Sequence, residues 1–165
     1  ILEGEVRPHF FEGVASVVSR LFLHVSPDVA VFGEKDYQQL CVIRQLVRDL
    51  NLPLRIVAAP TSRERDGLAR SSRNAYLTAD ERAAAPALHR AIKGLAAIAA
   101  KGGLVNKAID VATHDLLQAG FAKVDYLTVR DAETLEPFAP KSGRPGRVLG
   151  AAWLGSTRLI DNVAV

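Results

Sequence analysis

Val29-Ala30-Val31-Phe32-Gly33-Glu34-Lys35-Asp36-Tyr37-Gln38-Gln39-Leu40 is the stretch that decides the fold. Its first four residues form a short continuous apolar run, the pattern of a parallel strand covered on both faces, and Gly33 ends it. From Asp36 to Leu50 the apolar residues Leu40, Ile43, Leu46, Val47 and Leu50 recur at three- and four-residue steps, which predicts an amphipathic helix. Upstream, Val14, Val17, Val18, Leu21 and Phe22 mark the buried face of another helix over Phe11 to His24. Downstream, Asn51-Leu52-Pro53 breaks the pattern and Leu54 to Ala58 reads as a second apolar strand. Helix, strand, helix, strand is the alternation of an α/β sheet.

Pro60 to Asn74 changes character. It holds Arg63, Arg65, Arg70 and Arg73 with Thr61, Ser62, Ser71 and Ser72, and no clear period, so it reads as a long functional loop at a domain boundary. Thr78-Ala79-Asp80-Glu81 then has the form of a capping box, opening a helical segment that Pro86 is expected to kink before it runs to about Ala100. Lys101-Gly102-Gly103 stops it. A further helix is expected over Val105 to Ala119, with Gly120 as its stop, followed by strands over Val124 to Val129, Arg147 to Trp153 and Thr157 to Ile160. The last two are separated by Leu154-Gly155-Ser156 and read as a hairpin. Helices followed by antiparallel strands make a small α+β unit.

Composition narrows the function classes. The 165 residues are 48% hydrophobic and 24% charged, which excludes a disordered chain and suits one compact domain or two small ones. No apolar stretch approaches the roughly 18 uninterrupted residues of a membrane span. The single cysteine, Cys41, cannot form an internal disulfide, so the fold does not depend on an oxidising compartment and cytoplasm is the expectation. Cys41 itself reads as helix packing. The formal net charge is +3, with basic and acidic residues interleaved rather than gathered in a stripe, so charge gives no reason to expect nucleic acid. The chain contains no Met and begins Ile1-Leu2-Glu3-Gly4, from which a fragment is expected.

Two segments have the chemistry to bind an anion. At the strand–helix turn, Gly33 allows close backbone approach, the start of the following helix offers N–H groups and a positive dipole end, and Lys35 adds a full charge. The same residues also suit an ordinary βα turn with Asp36 as N-cap and Lys35 in solvent. In the loop, Ser71, Ser72 and the fork-shaped Arg73 can surround phosphate oxygens. A solvated polar linker would look similar. Two phosphate-compatible loops flanking one domain boundary strengthen each other.

The order Phe32-Gly33-Glu34-Lys35-Asp36-Tyr37-Gln38-Gln39-Leu40, the loop Asp66-Gly67-Leu68-Ala69-Arg70-Ser71-Ser72-Arg73-Asn74 and the terminal Ala151-Ala152-Trp153-Leu154-Gly155-Ser156-Thr157 closely resemble the pantothenate synthetase (pantoate–β-alanine ligase) family, over essentially the whole chain. The resemblance implies residues 1–61 as the C-terminal part of a Rossmann-like ATP-binding domain and 62–165 as a small α+β lid domain with an antiparallel sheet. It implies an ATP-dependent ligase that forms pantoyl adenylate and pyrophosphate, then pantothenate and AMP when β-alanine attacks, with Mg²⁺ as cofactor and a homodimer in the full-length enzyme. By motif, Gly33, Lys35, Asp36, Ser62, Arg63, Ser71, Ser72 and Arg73 would contact ATP. Gly33 and Asp36 would lie at the ribose, Ser62 and Arg63 beside the adenine, and Lys35 with Ser71 to Arg73 on the phosphates. Lys35 and Arg73 would be catalytic, and Gln39 would bind pantoate.

Two departures stand out. The family's HxGH-type histidine segment does not occur in these 165 residues, so the chain alone is expected to be inactive. The usual RPxHFxGV segment reads Arg7-Pro8-His9-Phe10-Phe11-Glu12-Gly13-Val14, which puts Phe10 at the histidine position. His9, His24, His89 and His114 read as surface or packing residues, and Asp161-Asn162 as sheet packing and turn chemistry. A related nucleotidylyltransferase or a nucleotide-binding module is the alternative.

Overall fold

The computed structural model describes residues 1–140 and 143–165, and the chain divides into two compact units, Ile1–Pro60 and Thr61–Val165. Among the described residues no helix is long and apolar enough to cross a membrane.

The first unit contains α1 (Glu3–Val6), α2 (Phe10–Val25), β1 (Val29–Gly33), a 3₁₀ turn (Glu34–Asp36), α3 (Tyr37–Asp49) and β2 (Arg55–Ala59). Strands β1 and β2 pair in parallel, with Val29 opposite Arg55 and Gly33 opposite Ala59. A parallel pair needs a crossover, and α3 supplies it. Leu40 and Ile43 on α3 are almost completely buried, and Phe22 of α2 meets Phe32 of β1 edge-on at 6.2 Å between ring centres. Asn51, with φ of 48°, turns the chain out of α3 in the left-handed conformation before Pro53.

Burial in this unit is one-sided, which corrects two expectations. In β1, Ala30 and Phe32 are half-buried whereas Val29 and Val31 are exposed, so the strand is covered on one face only. On α2 Phe22 is buried but Val17 and Leu21, expected on the same inward face, are exposed. A two-stranded sheet with α2 and α3 offers no second layer for these side chains.

The second unit runs from a 3₁₀ helix (Ser72–Tyr76) through α4 (Ala79–Ala84), α5 (Pro86–Ala100), α6 (Val105–Gln118), β3 (Lys123–Asp131), β4 (Gly146–Leu154) and β5 (Thr157–Ala164). The capping box forms as the sequence predicts: Thr78 Oγ1 accepts from Glu81 N, and the Glu81 carboxylate accepts from Thr78 N. Pro86 separates two helices rather than kinking one, and as the first residue of α5 it needs no N–H partner. Helix α5 buries Leu88, Ile92, Leu95 and Ala99 against an antiparallel sheet of order β3-β4-β5. Gly150 lets that helix lie close: a Cβ there would come within 2.9 Å of Leu127 and 3.1 Å of Ile92. The β4–β5 hairpin turns on Gly155-Ser156, with Gly155 at φ of 50°.

The outer part of this sheet is fixed by one carboxylate. The β3–β4 register shifts between Val124 and Tyr126, and the displaced residue, Asp125, accepts from Trp153 Nε1 at 3.0 Å, Arg158 Nε at 2.7 Å and Lys123 Nζ at 2.8 Å. Burial pushes its pKa up, but hydrogen bonds from Lys123, Arg158 and Trp153 outweigh that and hold it at about 2, below the ordinary 3.8. A carboxyl depressed in the folded state stabilises the fold above its unfolded pKa, here by about 2 kcal/mol, and loses that contribution as pH falls from near 4 through 2. Asp125→Asn is therefore expected to lower the unfolding free energy at pH 7 by about 3 kcal/mol. Denaturant titration followed by the fluorescence of Trp153 checks this, and a wild-type midpoint would rule out the role.

Candidate nucleotide-binding site

The first group of site residues surrounds the start of α3. Gly33 has ordinary extended angles, φ of −70° and ψ of 134°, and a Cβ there would meet nothing within 4 Å. Neither backbone strain nor internal packing requires glycine at this position. Open space beside the strand end is what the small residue leaves. Lys35 lies in the 3₁₀ turn with its side chain only 18% exposed, and its Nζ is 3.8 Å from an Asp36 carboxylate oxygen. Asp36 is the N-cap of α3 by position, yet its side chain makes no capping bond. The plain N-cap reading of Asp36 is thus not what forms. The first turn of α3 carries no acidic residue, and the negative charge at the positive end of the helix dipole is that of Asp36 at the N-cap.

The two glutamines divide their labour. Gln38, not singled out by the motif, is 8% exposed; its Oε1 accepts from Glu3 N at 3.0 Å and its Nε2 donates to Ile1 O at 3.1 Å. It ties the N-terminal turn to α3. Gln39 is half-buried, and among the described residues no hydrogen bond engages its amide. His9 does not take over a histidine's place beside them. Its side chain is exposed and pairs with Glu12 at 2.9 Å, while Phe10 lies under the Arg7 guanidinium at 3.6 Å.

The second group lies in the second unit. The expected irregular loop begins as a small hairpin: Arg70 N donates to Ser62 O at 2.9 Å, Arg63 and Ala69 form an antiparallel bridge, and Glu64 N donates to Leu68 O at 2.8 Å. Gly67 forms its tip at φ of 94°. Ser62 is exposed at the mouth of the hairpin. Its other end runs into Ser71, whose Oγ accepts from Arg73 N at 3.2 Å and caps the following 3₁₀ helix. Ser72 and Arg73 are exposed, whereas Asn74 folds inward and donates Nδ2 to Ala69 O at 3.0 Å.

The Arg63 guanidinium is engaged within its own unit. Its guanidinium forks onto Asp161, at 2.6 and 2.9 Å, and also donates to Gly67 O at 3.0 Å and Asn162 O at 3.2 Å. These bonds turn the charge inward, because the Asp161 side chain is 3% exposed and needs a counter-ion. His89 Nδ1 lies 3.2 Å from the same carboxylate. Burial, then the Arg63 charge, lowers the His89 pKa against the opposing pull of Asp161, so the ring is neutral at pH 7. Of the two readings of each, packing holds: Asp161 lies in the sheet and His89 packs against it, with the Arg63 ion pair as the unexpected part. Their link to Arg63 spans most of the unit in sequence, and no local pattern signals it.

Comparison with known proteins agrees with this layout. The sequence profile of the Pantoate-beta-alanine ligase family matches residues 1–164. Pantothenate synthetases of Bradyrhizobium sp. and Caulobacter vibrioides are 57% and 56% identical over 99% of this chain, which covers 58% of each. The crystal structure of pantothenate synthetase from Thermus thermophilus superposes with a TM-score of 0.87 at 47% identity, over 99% of this chain and 59% of that one. A pantoate-beta-alanine ligase from Francisella tularensis, described as complexed with beta-gamma ATP and beta-alanine, superposes at 0.73 with 29% identity, over 99% of this chain and 54% of that one. The chain therefore spans under two thirds of the length of the relatives it matches. Two anion-ready turns, an α/β first unit and a helix-backed antiparallel sheet, together with these matches, make the chain a member of the pantoate–β-alanine ligase family.

Proposed function

We propose that the chain is the ATP-handling part of an enzyme that joins pantoate to β-alanine. Pantoate's carboxylate attacks the α-phosphate of ATP and pyrophosphate leaves; the amine of β-alanine then attacks the acyl carbon, AMP departs, and pantothenate remains. The observation that most supports this is the Ser71–Arg73 turn. It has two serines and an exposed guanidinium, and the stretch from Gly67 to Ala79 contains no carboxylate to compete for that charge.

In this reading residues 1–61 belong to the ATP-binding domain and 62–165 form the lid domain. Lys35 and Arg73 stabilise the charge that gathers on the α-phosphate and the departing pyrophosphate, more strongly in the transition state than in the ground state. Ser71 and Ser72 orient phosphate oxygens. Gly33 and Asp36 accept the ribose end, Gly33 by leaving space and Asp36 by a carboxylate not used for capping. Ser62 lies beside the adenine. Arg63 reaches it through its backbone only, since its guanidinium is occupied by Asp161. Gln39 binds pantoate through an amide that has no partner among the described residues. The ATP chemistry implies magnesium, but among the described residues no group of three or more His, Cys, Asp or Glu is arranged to hold a metal. The chain's own contribution to charge stabilisation is cationic side chains and N–H donors.

Release of AMP that depends on both pantoate and β-alanine tests the function. It is expected from a protein of full family length with this sequence and not from the 165 residues alone. Pyrophosphate release with the adenylyl group kept on an acceptor, and no free AMP, would point to a nucleotidylyltransferase instead. In the full-length protein, Lys35→Ala and Arg73→Ala are each expected to slow adenylation by about a hundredfold or more, the usual loss for one preorganised donor. Pre-steady-state formation of pyrophosphate measures this, and a near-normal rate for either variant would remove that residue from the mechanism.

A further inference from the structure

The Ser71–Arg73 turn has no covalent or metal brace, yet a phosphate contact is useful only if it is held to within a fraction of an ångström. The turn follows directly on the hairpin of Ser62 to Arg70, and that hairpin is attached to the core at three points. Arg63, on its first arm, forks onto Asp161 of β5, at 2.6 and 2.9 Å. Gly67, at its tip, lies so close to His89 of α5 that a Cβ would come within 2.6 Å of the ring. Leu68 and Ala69, on the second arm, are each 5% exposed, and Asn74 holds Ala69 O from beyond the turn. Asp161 joins the first two attachments. It receives the Arg63 fork, lies against His89 at 3.2 Å and accepts from its neighbour Asn162 N at 2.7 Å.

We propose that Asp161 and His89, acting through Arg63, are positioning residues that fix the Ser71–Arg73 turn in its phosphate-binding geometry. This rests on the reading of that turn as a phosphate contact. Without the fork, the two arms keep their backbone bonds and the Arg70–Glu64 pair, and the tip keeps Asp66 against Arg82 of α4, but Gly67 loses the Arg63 bond to its carbonyl that keeps the tip against His89. The arm leading into Ser71 then has no charged tie to the sheet, since Arg70–Glu64 joins only one arm to the other. Arg63→Lys keeps one charge but cannot make the paired bonds, so it should act as a partial version of the same loss.

Nitrogen-15 NMR of the 165-residue chain tests this with two readouts. Amide exchange at Glu64, Gly67 and Arg70 reports the hairpin, and the response of the Ser71–Arg73 amides to added ATP reports the turn. Asp161→Asn is expected to speed exchange at those three amides at least tenfold, with Ala151 and Ala152 of β4 unchanged, and to weaken the ATP response at least tenfold. Arg63→Lys should fall between that variant and wild type, and carries both measurements if Asp161→Asn does not fold. Arg73→Ala should lose the ATP response without faster exchange. Unchanged exchange in Asp161→Asn overturns the anchoring. Faster exchange with an unchanged ATP response makes Asp161 structural only and also overturns the proposal. An absent ATP response in wild type refutes the phosphate reading itself, and the positioning role falls with it.

Discussion

A carboxylate buried in the middle of a strand is costly unless it is paired, and Asp161 in β5 is such a group. Arg63 is its counter-ion, and its planar fork satisfies both oxygens at once. That requirement draws the first segment of the second unit, otherwise polar and without a helical or strand period, onto the sheet. The sheet exists because α5 buries an apolar stripe against β3, β4 and β5, and it is dense enough that Gly150 admits no larger side chain without displacement. The charged pair thus converts a packed apolar core into a platform for a polar loop.

The first unit reaches a similar end by different means. Its α3 begins without a side-chain capping bond, and its position is secured by Leu40, Ile43 and the amide of Gln38. Lys35 sits largely buried beside that helix start. A cation that is partly desolvated interacts more strongly with an anion than one in bulk water does, so in the proposed reading partial burial of Lys35 strengthens its contact with phosphate.

What the sequence revealed depended on the range of each interaction. The capping box of Thr78 and Glu81 and the hairpin at Gly155 are set by residues within a few positions of one another, and each formed where its pattern pointed, whereas Pro86 divides two helices where a kink was expected. The parallel β1–β2 pair was also legible, because alternation of helix and strand dictates it. The exposure of Val17, Leu21 and Val31 was not, since periodicity shows that a face is apolar but not how many layers are present to cover it. The Arg63–Asp161–His89 cluster was invisible for a further reason. In its own segment Arg63 reads as a ligand contact, His89 as surface or packing and Asp161 as sheet packing and turn chemistry, and only the fold brings them together.

Charge pairing then separates the arginines of the loop, which composition alone cannot do. Arg63 is neutralised by Asp161 and Arg70 by Glu64, each acid lying within the same unit at 3.3 Å or less, and the exposed Arg65 stands between Glu64 and Asp66 in the chain. Every such pair removes an arginine from the set that could meet an external anion at full strength. Arg73 differs. It is exposed, its backbone N–H is already held by Ser71, and no acidic residue occurs between Gly67 and Ala79. A guanidinium in that setting keeps its full field for a ligand, whereas a nearby carboxylate would have to be displaced first and would repel a phosphate. The same internal pairing that fixes the loop's shape therefore leaves Arg73 without an acidic neighbour, and in the proposed reading structure and binding chemistry are served by different arginines of a single short segment.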